Sequence, residues 1–114
     1  MIALMLAATL AAAIAADEPP PPPELTAAAA AWQRCIQDRI DQADDSARPS
    51  AVAQAIAAAC DPSAQAMLAA HRRWVEGSSL SDRDKRRSIR ASERNVASVP
   101  RMIEMMVRAS RDDD

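Results

Sequence analysis

The chain has no phenylalanine or tyrosine, and its 114 residues include two tryptophans, one glycine, one histidine and two cysteines. Each shortage excludes something. Walker-type and dinucleotide-type phosphate cradles both need several glycines to bring backbone N–H groups against phosphate, and Gly77 stands alone. His71 is the single side chain that titrates near neutrality, and no Gly-x-Ser-x-Gly, His-Glu-x-x-His or Cys-x-x-Cys accompanies it. The paired acids Asp44 and Asp45 fall in a turn-prone stretch, where capping the following segment suits them better than acid chemistry. The expectation is a non-enzymatic protein without a cofactor. Scarcity of aromatics also removes the stacking platforms that single-stranded nucleic acid requires, so a nucleic-acid partner is not expected.

Alanine fills much of what remains. The apolar share of 49% therefore buries little area per residue and promises a thin core, for which a covalent cross-link is valuable. The opening MIALMLAATLAAAIAADE is an uncharged apolar run that ends in small residues, with Ala13-Ile14-Ala15 matching the small-x-small preference of a signal peptidase. Sixteen helical residues span about 24 Å, short of the roughly 30 Å hydrocarbon core of a bilayer. Residues 1–16 accordingly read as a cleaved export signal, although no lysine or arginine precedes the run, and the mature protein is expected to be periplasmic or extracellular. Residues 17–24 form an acidic linker whose five prolines, Pro19 to Pro23, favour an extended spacer.

Residues 25–111 read as an all-α domain, a small bundle of about four helices built on a disulfide-stapled αα-hairpin, with residues 112–114 as an acidic tail. Trp32, Ile36, Ile40 and Ala43 recur at helical spacing, with Cys35 beside them. The turn DDSARPS interrupts, and Pro49 opens a second helix with Val52, Ile56 and Ala59 or Cys60 on one side. An even cysteine count in an exported chain predicts a Cys35–Cys60 disulfide. Asp61 with Pro62 reads as the N-cap and first residue of a third helix, whose face carries Ala64, Met67, Leu68, His71, Trp74 and Val75 and which ends at Gly77 in a left-handed cap. Ser81 and Asp84 make a capping box for the last segment. There Ile89, Val96 and Ile103 on one track and Val99 and Met106 on the other keep a seven-residue register, interrupted by Ser92 and Ser110. That register crosses Pro100 in phase, which favours a kinked helix over a break near Ser98.

Charge divides the molecule. From Asp17 to Ala70 there are eight acids and three arginines; from His71 to Arg111 there are eleven bases and five acids. Arg87, Arg94, Arg101 and Arg108 lie seven apart and form one stripe opposite the apolar seam, with Arg83, Arg90 and Arg111 beside it. A solvated helix face accounts for such a stripe; so does a surface for an anionic partner. The functional expectation is a binding or structural component of a bacterial-type cell envelope whose basic amphipathic C-terminal helix contacts an envelope protein or an anionic membrane surface. A coiled-coil-like homodimer is the form the contact takes if the apolar seam is not used internally. The alternative is a Cu(I)-binding protein, with Met102, Met105 and Met106 presenting thioethers at i, i+3 and i+4 and His71 as a fourth ligand. Against it, methionines at helical spacing usually fill cores or interfaces, and His71, between Leu68 and Val75, suits a hydrogen-bonded interior position.

Overall fold

A computed structural model describes residues 20–112, and their regular structure is entirely helical. The segments are α1 (Pro23–Asp41), α2 (Pro49–Ala59), α3 (Asp61–Glu76), α4 (Asp82–Ala97) and α5 (Val99–Asp112). The expected signal segment, residues 17–19 of the linker and residues 113–114 of the tail lie outside the described residues.

Proline sets most of the helix starts. Pro23 and Pro49 each occupy a first helical turn, where a fixed φ is already helical and no N–H is left unbonded. The domain thus begins two residues earlier than the linker boundary drawn from composition, and Glu24 enters the first turn of α1, where a negative charge suits the helix dipole. Between α2 and α3 the expected Asp61 cap is not used. Cys60 occupies that position, its carbonyl accepting from the Ala64 N–H at 3.1 Å, while the Asp61 carboxylate accepts from the Gln65 amide at 3.3 Å. The two helices therefore abut through one residue. Gly77 does end α3, but at φ −82° and ψ −3°, a right-handed conformation open to any L-residue, so the left-handed cap does not form. Ser81 caps α4 as expected, its hydroxyl accepting from the Asp84 N–H at 3.1 Å.

At Ser98 the last segment breaks. Pro100 has no N–H to donate to the Val96 carbonyl, and its ring would crowd that carbonyl in a continuous helix, so α4 closes at Ser98 and α5 takes Pro100 into its first turn. The Ser98 hydroxyl donates to the Asn95 carbonyl at 2.8 Å, satisfying one of the carbonyls that the break exposes.

The helices pack in two broad pairs. α1 lies against α3, and the Glu24–Arg73 ion pair at one end shows the two to be antiparallel. α2 lies against α5, and the Arg111 guanidinium donating to the Asp44 carbonyl at 2.9 Å fixes the same antiparallel sense. α4 touches α3 and, at the break, α5. The α1–α2 hairpin is real but narrow, with the Cys35–Cys60 disulfide joining its two helices. The main core cluster contains Val52, Ala53, Ile56 and Cys60 with Val99, Ile103 and Val107, covered by Trp32, Ile36 and Ile40 of α1. Met106, expected in the seam, is instead 42% exposed and Val107 is buried in its place. Once α5 is a separate helix, positions 99, 103 and 107 follow the i, i+4 ridge that packs on α2, and the seven-residue register no longer applies.

The disulfide closes a loop with a sequence separation of 25 between residues whose Cα atoms are 5.8 Å apart. In the chain-entropy picture such a loop stabilises by about 3 to 4 kcal/mol. Replacing both cysteines by alanine should lower the unfolding free energy by about that amount in urea titration, with the helical circular-dichroism signal retained at low temperature.

Gly77 supplies a test of opposite sign. A Cβ built there would meet the Arg73 carbonyl oxygen at 3.4 Å and that of Trp74 at 3.8 Å, ordinary contact distances. Gly77→Ala should therefore stabilise the fold by about 0.4 to 1 kcal/mol through the unfolded chain, a rise measurable in the same titration.

Candidate binding surface

α4 has no buried residue. It docks by one side, where Ile89, Ser92 and Val96 face Leu68, His71 and Arg72 of α3. The other side is arginine. Arg83, Arg86, Arg87, Arg90 and Arg94 together line one shallow concavity with no other residue type. At 3.6 residues per turn these positions fall within about 100° of helix circumference, opposite Ile89, Ser92 and Val96. All five are exposed. Among the described residues the ion pairs are Arg72–Glu93, Arg73–Glu24 and Arg108–Glu104, and none involves this set.

The stripe expected from seven-residue spacing is therefore divided. Arg87 and Arg94 belong to the α4 face, whereas Arg101 and Arg108 lie beyond the Ser98 break on α5, exposed, with Arg108 paired to Glu104 at 3.0 Å. Arg111 is not beside the stripe: it latches the α1–α2 turn by donating to the Asp44 carbonyl. In that turn the Asp44 carboxylate accepts from the Ser46 N–H at 2.9 Å and from its hydroxyl at 2.8 Å. These bonds, and more weakly the charge of Arg111, hold the Asp44 carboxyl below its usual pKa. Asp44 thus closes the turn without capping α2. Arg86 is the member that seven-residue spacing misses; a period of 3.6 places it beside Arg83 and Arg90.

The soft-metal set does not assemble. Met102 and Met106 line a groove between α1 and α5 with Trp32, Ile36, Val99 and Ile103, and Met105 points elsewhere at 63% exposure. His71 lies on α3, which makes no contact with α5. Its partner is Ser92, whose hydroxyl is 3.1 Å from Nδ1 and 3.4 Å from Nε2, and Trp74 stands edge-on to its ring. The serine that interrupts the apolar register on α4 is thus the polar group that the half-buried histidine meets.

Fold and surface together define a disulfide-linked all-helical domain with one cationic helix face, and among the described residues no helix is long and apolar enough to cross a membrane. Comparison with protein-family models, with curated proteins and with solved structures yields no match.

Partial burial holds the His71 pKa below the ordinary histidine value of 6.5. The unfolded chain then binds the proton at a higher pH than the folded one, so stability present above pH 6.5 declines as pH falls and levels off below the folded pKa. His71→Gln should flatten this slope in urea titrations run between about pH 7.5 and pH 5, the range around the histidine transition.

Proposed function

We propose that this protein is a non-enzymatic binding component of a bacterial-type cell envelope that engages an anionic partner through the arginine face of α4. The exported, periplasmic or extracellular setting of this reading comes from the apolar N-terminal run. The observation that carries the binding role is the set of five exposed guanidiniums, outside every ion pair among the described residues, on the side of α4 turned away from α3. Mutual repulsion along such a row is relieved by an anion that spans it. An apolar homodimer through the C-terminal seam is the weaker reading, because Val99 and Ile103 are already spent on α2. The copper reading is weaker too, with two thioethers in one groove and the histidine in another cleft.

Reversing Arg83, Arg87, Arg90 and Arg94 to glutamate tests the assignment. Crosslinking in the native envelope should lose its main adducts, and binding at low ionic strength should fall about tenfold or more, while thermal stability changes little because the four side chains are exposed. An unchanged crosslinking pattern from the folded variant would assign the contact to another face.

A further inference from the structure

From the geometry of the arginine face we infer that its partner is the headgroup surface of an anionic phospholipid bilayer, on which α4 lies flat without inserting. This rests on the reading of α4 as the binding element. The five arginines run about 16 Å along the helix axis, from Arg83 to Arg94, so the shallow concavity they line is drawn out into a row. A row of charges fits an extended anionic surface better than a single small anion.

What flanks the row separates a bilayer from an acidic protein. Protein interfaces take most of their affinity from buried aromatic or aliphatic anchors seated in pockets of the partner. The arginine arc of α4 offers none: Ala97 falls within it, Ala91 and Glu93 flank it, the apolar Ile89 and Val96 are turned toward α3, and the exposed Leu80 precedes the helix, ahead of the Ser81 cap. A headgroup surface needs no such anchor. Each basic residue held near an anionic leaflet raises partition by roughly fivefold, so five in one face raise it by about three-thousandfold. Guanidinium also suits phosphate, which it binds bidentately. The absence of an apolar wedge on this face makes the contact peripheral, and hence reversible by salt.

The test is co-sedimentation of the full chain with vesicles of phosphatidylglycerol and phosphatidylcholine, compared with vesicles of phosphatidylcholine alone. The neutral vesicles measure whatever the apolar N-terminal run contributes. The phosphatidylglycerol-dependent part should vanish near 1 M salt, where the screening length is about 3 Å. Arg87→Gln with Arg90→Gln should lower it by about 25-fold, whereas the matched pair Arg101→Gln with Arg108→Gln on α5 should change it by less than about threefold. Circular dichroism confirms that each variant is folded, and the matched pair keeps the comparison at equal net charge. Equal binding to both vesicle types, or equal losses from the two pairs, overturns the inference. In that event binding of poly-glutamate that is lost with Arg87→Gln and Arg90→Gln would keep α4 as the binding element for an acidic protein. Failure to bind vesicles and poly-glutamate alike would remove both readings.

Discussion

Cys60 is the residue through which the structure holds together. It ends α2, caps α3, is fully buried, and is bonded to Cys35 in the middle of α1. One side chain therefore ties the α1–α3 pair to the α2–α5 pair. Trp32, Ile36 and Ile40 of α1 add to this link by packing on the same core, but the buried set is small: valines, isoleucines, alanines and Leu25, with Ile103 and Cys60 the largest fully buried side chains. Burying a valine or isoleucine contributes about 1.5 to 3 kcal/mol, and alanine much less. In a core of this composition a constraint on the unfolded chain is comparable with one or two of its best packed residues.

The thin core also explains the exposed arginines. α4 has no buried residue and rests on α3 through a half-buried strip that includes the Ser92–His71 contact. Such a helix leaves more than half of its circumference in water, and charged residues are what that surface tolerates. Their concentration within one arc, with Asp82 and Asp84 confined to the first turn and Glu93 turned to Arg72, is more specific than solubility demands. The arginines on α5 are differently placed. Arg108 has an acid one turn away and Arg111 serves the fold by holding the Asp44 turn.

The break at Ser98 makes these differences. A continuous helix would have carried one apolar seam and one arginine stripe from Ser81 to Arg111. With the break, Ile89 and Val96 pack toward α3 while Val99, Ile103 and Val107 pack on α2, and the cationic residues separate into the α4 cluster and an α5 set in which Arg108 and Arg111 have local partners. A proline that removes one hydrogen bond thereby decides how charge is distributed over the surface.

The first turns at Pro49 and Pro62, the Ser81 cap and the cysteine pair were determined by the amino-acid sequence alone, because each depends on neighbours within one or two turns or, for the cysteines, on there being no other partner. The α1 face of Trp32, Ile36 and Ile40 and the α2 face of Val52 and Ile56 were legible for the same reason. Gly77 misled because glycine permits a left-handed cap without requiring one, and Asp61 because Cys60, one residue earlier, takes the cap position. Only the tertiary structure decided that α1 pairs with α3 and α2 with α5, that His71 meets Ser92 and not the methionines, and that Arg86 joins the binding face while Arg101, Arg108 and Arg111 do not. Periodicity records which side of a helix is apolar; the helix that covers it is chosen by contacts far apart in the chain, and these depend on where Pro100 lets the last segment turn.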